Sequence, residues 1–172
     1  MSSVFEDPAV PPAGRAVVVG LWTRRAVLTL GAVLPVIALF NVLGQQPKET
    51  TGWAAAGSVT LSAPATVRGG LMFQSRVEVT AAETIDHPRL VLDDGWLEGM
   101  QISSIEPQPA REASRDGRVV LSYDRLRAGE RLIVWVQSQV DPTDPGRRRA
   151  GLTLQDATTD LVRVDRTLTI LP

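Results

Sequence analysis

Two hydrophobic patterns divide this chain. From Ala26 to Gly44, AVLTLGAVLPVIALFNVLG, nineteen residues carry no charge. From Ser58 onward the apolar positions alternate with polar ones, and no segment sustains a 3.6-residue repeat. The first pattern predicts a helix about 28 Å long, close to the hydrocarbon thickness of a bilayer. The second predicts half-buried strands, each with one face in a core and the other in water.

The strands follow in order. Val59, Thr60 and Leu61 open the series, and Arg68-Gly69-Gly70 turns the chain. Phe73, Ser75, Val77, Val79 and Ala81 then alternate with Gln74, Arg76, Glu78 and Thr80. Arg89–Leu92 ends at Asp93-Asp94-Gly95, and Trp96–Ile105 reads as a strand with an irregular start. Glu106–Pro109 breaks the pattern, and Ala110–Gly117 reads as a polar loop. Arg118–Asp124 places Val119, Leu121 and Tyr123 on one face. Leu132, Val134 and Val136 alternate with Ile133, Trp135 and Gln137. Both of those faces are partly apolar, which predicts a central strand packed on two sides, with Trp135 as the large core ring. Asp141–Gly146 is a dense turn signal, Gly151–Gln155 a further strand, and Val162, Val164, Leu168 and Ile170 mark a long terminal one. Turns at this spacing predict an all-β, immunoglobulin-like antiparallel sandwich of seven or eight strands, preceded by one N-terminal transmembrane helix.

The charges beside the apolar run orient it. Arg15, Arg24 and Arg25 precede it, and only Lys48 lies just after it. Positive residues stay on the cytoplasmic side, so the N-terminus is inside and the C-terminal domain outside. The expected organisation is a cytoplasmic disordered tail over 1–22, a transmembrane helix over 23–44, a linker over 45–56 and an extracytoplasmic β-sandwich over 57–172 in the plasma membrane. A rival reading takes Thr23-Arg24-Arg25 as a twin-arginine-like export signal cleaved near Ala54-Ala55-Ala56. The apolar run exceeds the about 7–15 residues of a signal core, which favours a retained anchor. Either way the domain is exported.

Several segments also carry a resemblance. Arg89–Asp93, Gly99–Ile105, Val119–Tyr123 and Leu126–Val134, with its Leu-Arg-Ala-Gly-Glu turn, follow one another in this order. The stretch Ser75–Gln155 resembles the immunoglobulin-like repeat of bacterial surface proteins. It departs from that pattern where Ala82–Asp86 replaces an Asn-Gly-like turn. The resemblance implies a non-catalytic spacer or adhesive module.

Composition narrows the chemistry. The domain Gly57–Pro172 carries 14 Arg against 16 Asp and Glu, a net charge of −2, so nothing argues for nucleic acid. There is no Cys, which excludes a disulfide scaffold, a thiol nucleophile and thiolate metal sites. Lys48 is the only lysine, a usage typical of GC-rich bacterial, including actinobacterial, coding sequences. His87 is the only histidine, and no G-x-S-x-G elbow accompanies Ser103, Ser104 and Asp93. Asp93-Asp94 and Asp141-x-x-Asp144 are the candidates for calcium, yet Asp beside Pro or Gly is mainly turn chemistry. No catalytic, cofactor or metal residue is therefore assigned. Arg147-Arg148-Arg149 is the strongest charge run. It reads as an edge strand guarded by charge or as a patch meeting an anionic partner. Trp96 is the one indole expected to offer a stacking platform.

These residues lead to one expectation: a membrane-anchored envelope domain that serves as an accessory or protein-interaction module. The bilayer, through Ala26–Gly44, and another envelope protein are its partners. A carbohydrate- or polymer-binding module using Trp96, Arg147, Arg148 and Arg149 is the alternative. The topology has a direct check. Protease added to intact cells should remove a C-terminally tagged domain; a tag cut only after lysis would reverse the orientation.

Overall fold

The structure, a computed structural model, describes residues 22–33 and 46–172. Residues 22–33 form an α-helix in which the Thr29 hydroxyl donates to the Arg25 carbonyl (2.8 Å). The remainder of the expected span, 34–44, and the tail 1–21 lie outside the described residues. Among the described residues no helix is long and apolar enough to cross a membrane.

The C-terminal unit is built from β1 (Pro47–Ala54), β2 (Gly57–Pro64), β3 (Thr66–Arg68), β4 (Met72–Ala81), β5 (Pro88–Leu92), β6 (Met100–Glu106), β7 (Arg111–Arg115), β8 (Arg118–Ser122), β9 (Arg131–Val140), β10 (Gly146–Arg149), β11 (Leu152–Asp156), β12 (Thr159–Val164) and β13 (Thr167–Leu171). One five-stranded sheet runs β1-β2-β4-β9-β6, and a second runs β12-β11-β5-β8-β7. A three-stranded sheet, β10-β13-β3, joins them and contains the one parallel pair among these strands, β13 with β3. The architecture is sandwich-like. Among the described residues thirteen strands replace the seven or eight expected, because short or mostly exposed strands leave no apolar period to read.

Period-2 alternation builds the core from both sheets. The first contributes Val59 and Leu61 of β2, Val77 and Val79 of β4, and Val134 and Val136 of β9. Leu90 and Leu92 of β5, Val119 and Leu121 of β8, and Leu152 and Leu154 of β11 meet them from the second. Each of these side chains, fully buried, contributes about 1.5–3 kcal/mol by leaving water.

Four expectations change. The supposed linker is β1, paired along its whole length with β2 from Pro47↔Pro64 to Ala54↔Gly57. It also lies close against β12: a Cβ on Gly52 would sit 2.6 Å from the Arg163 carbonyl oxygen, so only glycine fits that approach. The supposed loop after Pro109 contains β7, which forms a hairpin with β8. Its two-residue turn, Asp116 (φ 52°) and Gly117 (φ 74°), has the left-handed pair of dihedrals that suits the twist of a hairpin. The supposed long terminal strand is two strands, β12 and β13, which leave the second sheet for the third at Asp165-Arg166.

The fourth correction exchanges two tryptophans. Trp96 closes a single 3-10 turn, Asp94–Trp96, and its ring is only 1% exposed, with Nε1 donating to the Gly151 carbonyl (3.0 Å). Trp135 takes the outward parity of β9, since Val134 and Val136 on either side point into the core. It is 41% exposed, and the Arg76 guanidinium lies 5.7 Å from the ring centre. The strand β9 lies between β4 and β6, but its outer face remains partly open.

Arg166 fastens the crossover between sheets. Its Nη1 donates to the Lys48 carbonyl (2.6 Å) and the Leu61 carbonyl (3.3 Å), and its Nη2 to the Ala63 carbonyl. Burial holds this guanidinium below its ordinary pKa. One cation thereby satisfies carbonyls on β1 and β2 from the turn that leads into β13.

Two stability predictions follow from this packing. Trp96→Ala should cost about 3–5 kcal/mol in urea unfolding, and Trp135→Ala about 1 kcal/mol or less. Arg166→Met should cost about 2–4 kcal/mol, because it strands buried carbonyls. Arg166→Lys should recover only part of this, since a point-like ammonium cannot span three acceptors. Equal losses at the two tryptophans, or a neutral Arg166→Met, would contradict the packing described.

Candidate functional site

The residues singled out from the sequence do not converge. Trp96 is buried and offers no stacking face, so the platform reading is corrected: its ring fills the core beside Met100 and Ala150. Arg147, Arg148 and Arg149 form most of β10, the edge strand of the three-stranded sheet. Successive residues of a strand point to opposite faces, so the three charges cannot act as one patch. Arg148 turns inward, its side chain 16% exposed, and meets Asp144 (2.6 Å) and Glu98 (3.8 Å). Arg149 bonds Asp94 (3.2 Å). Arg147 is exposed, and among the described residues no carboxylate lies within 4 Å of it.

The aspartates considered for calcium serve elsewhere. Asp93 is buried and accepts from Arg163 (3.2 Å), which also bonds Asp165 (2.7 Å) and Thr153 (3.2 Å). Burial opposes the Arg163 charge, but these hydrogen bonds and the attraction of Asp93 and Asp165 outweigh it and hold the pKa above its ordinary value. Asp141 accepts the Thr143 hydroxyl (2.7 Å) and amide (2.8 Å), which lowers its carboxyl pKa. That turn is therefore firmest above the ordinary carboxyl value of 3.8 and loosens as pH falls through the lowered one. His87 is exposed just before β5, whereas Ser103 and Ser104 lie on β6 of the other sheet. Among the described residues no three His, Asp or Glu gather as a metal-binding group.

The arrangement with chemical potential lies on the outer face of the second sheet. Val119 and Leu121 of β8 enter the core, so Arg118, Val120 and Ser122 face outward. The register then sets their neighbours. Arg111 and Arg89 flank Ser122 from β7 and β5, Ala113 and Val91 flank Val120, and Arg115 lies opposite Arg118. The face thus has three rows: arginines at one end, small apolar residues in the middle, arginines at the other. Together they line a groove of about 420 Å³, with Gln155, Thr158 and Asp116 at its margins. This lies within the size range of about 300–1,000 Å³ common for ligand pockets.

The charge of the groove is largely uncompensated. Four of its lining arginines stand against one carboxylate, Asp116. Arg115 meets Asp116 at 3.7 Å, with both side chains almost fully in water, a pairing that contributes little. Arg89 donates to the Ala157 carbonyl (2.9 Å), which positions it without neutralising it. Arg111 and Arg118 have no carboxylate within 4 Å among the described residues. Sequence reading missed these four because they lie on three strands and stand singly, not as a run. The one available signal was Arg111-x-x-x-Arg115, two arginines at the same strand parity, but that stretch carried no apolar period.

No known protein family matches the chain, and no curated protein sequence matches it. Among solved structures, it is similar to the solution structure of CaCohA2 from Clostridium acetobutylicum, at 10% identity over 62% of this chain and 86% of that one, with a TM-score of 0.42. It is likewise similar to a structure titled "AvmM Catalyzes Macrocyclization in Alchivemycin A Biosynthesis", at 9% identity over 69% and 90%, also with a TM-score of 0.42.

Proposed function

We propose that this protein is a non-catalytic interaction module of the cell envelope. An immunoglobulin-like outer domain, held to the membrane by the apolar run Ala26–Gly44, receives another envelope protein in its arginine-walled groove. The observation that carries this reading is the convergence of Arg89, Arg111, Arg115 and Arg118 around a floor of small apolar side chains. Folding gains nothing from gathering four like charges on one sheet face, three of them exposed and Arg89 half-buried, since neighbouring like charges repel. A partner bearing carboxylates would offset that repulsion, speed the encounter by attraction and fix its own orientation through bidentate arginine contacts. The uncharged run Ala26–Gly44 supports the anchor, and Arg24-Arg25 before it supports an outer domain.

Crosslinking in native membranes tests the proposal. The full chain should give a heteromeric adduct, and reversing one wall with Arg115→Glu and Arg118→Glu should reduce it at least fivefold while the melting temperature holds within a few degrees. Recovery of monomer alone, or an adduct indifferent to the reversal, would remove the basis for the proposal.

A further inference from the structure

Resting on that reading, we infer that the occupant of the groove is an extended polypeptide segment of the form acid-x-apolar-x-acid, running parallel to β8.

The spacing of the three rows carries the inference. Along β7 the outward residues are Arg111, Ala113 and Arg115, two positions apart, and β8 and β5 place Val120 and Val91 level with Ala113. Outward positions on a strand recur every two residues, about 6.6 Å, so the arginine rows stand about 13 Å apart with the apolar row midway. An extended ligand has the same period. Side chains i, i+2 and i+4 on its lower face would meet arginine, apolar floor and arginine in turn.

The floor separates a polypeptide from a plain polyanion. Val91 is already buried, but Ala113 is exposed and Val120 half-buried, so the middle row keeps apolar surface that an apolar side chain laid over it would remove from water. A polyphosphate chain would engage both walls and leave that row empty. Lipid headgroups present a plane of charge, and a groove with an apolar centre does not match a plane. Acidic side chains near the groove do not supply an internal occupant. Asp116 lies at the hairpin turn beside Arg115, and Asp160, paired with Gln155 from β12, accepts from the Gln155 amide (2.6 Å).

The test titrates three peptides into the full-length chain in nonionic detergent micelles, read by amide chemical shifts of β7 and β8. The probe is acetyl-Ser-Glu-Thr-Val-Thr-Glu-Ser-amide. One control replaces both Glu by Gln; the other, acetyl-Ser-Glu-Glu-Thr-Val-Thr-Ser-amide, keeps the composition and breaks the spacing. The probe should shift Ala113 and Val120 and bind at least tenfold tighter than the Gln control and threefold tighter than the respaced one. Arg111→Gln and Arg118→Gln, one from each wall, should each weaken it at least threefold with the melting temperature unchanged. Raising salt from 50 to 300 mM should weaken it further. Equal binding of all three peptides, no binding of any, or tighter binding of polyphosphate or of phosphatidylglycerol vesicles than of the probe would overturn the assignment. The two proposals fail separately. A membrane adduct that depends on the groove, with no peptide binding, removes the ligand class and leaves the interaction module. Peptide binding with no adduct does the reverse.

Discussion

Each strand of this domain has two faces, and only one can enter the core. That constraint determines nearly everything else. Once Val119 and Leu121 are packed into the core with Val77 and Val134, the outward placement of Arg118 and Val120 is no longer free. Register passes the choice to the neighbouring strands, since paired residues share a face. The arginine rows of the groove are thus a consequence of which residues of β5, β7 and β8 are apolar. A one-residue slip of β8 would put Arg118 in the core and dissolve the groove together with the fold.

The same constraint separates two kinds of arginine. Arg147, Arg148 and Arg149 are adjacent in sequence, so strand parity splits them between faces, and two of the three find carboxylates. Arg89, Arg111, Arg115 and Arg118 are scattered over 30 positions of sequence, yet register gathers them on one face with a single carboxylate among them. A charge run is conspicuous in a sequence but tends to be dispersed by a sheet. Charges that recur at even spacing on neighbouring strands are inconspicuous in a sequence and are concentrated by it. Arg163 and Arg166 form a third group, spent on architecture: the first on Asp93 and Asp165, the second on the carbonyls of β1 and β2.

This explains which parts of the molecule were legible. Strands with one apolar face, such as β2, β4 and β8, announce themselves through alternation, β5 and β9 through apolar runs between turn residues, and the sandwich-like layering follows from them. β1 and β7 are exposed along almost their whole length and carry no such pattern. They exist because a neighbour offers a free ladder and, for β1, because Arg166 and the close approach at Gly52 hold it in place. Trp96 and Trp135 were exchanged for a related reason. Size suggested that the ring between two valines was the core ring, whereas parity sends Trp135 outward and the 3-10 turn tucks Trp96 beneath Gly151. The groove needed register across three strands, which no local pattern contains.

The edges of the sheets bear on why the proposed recognition falls on a face. An unpaired edge invites another chain to add to it, and charged residues are a common guard. β7 is such an edge, with Arg111 and Arg115 at its two ends, and β10 is another, with three arginines in four residues. On β7 the guard and the groove are the same side chains. Their charge discourages indiscriminate strand pairing, while their parity aims them over Ala113 and Val120 toward the sheet face. A partner that neutralises them must bring negative charge, and one without it meets the guard. On the proposed reading, selectivity needs no lid or moving part: one set of positive charges both discourages indiscriminate strand pairing and attracts an anionic partner.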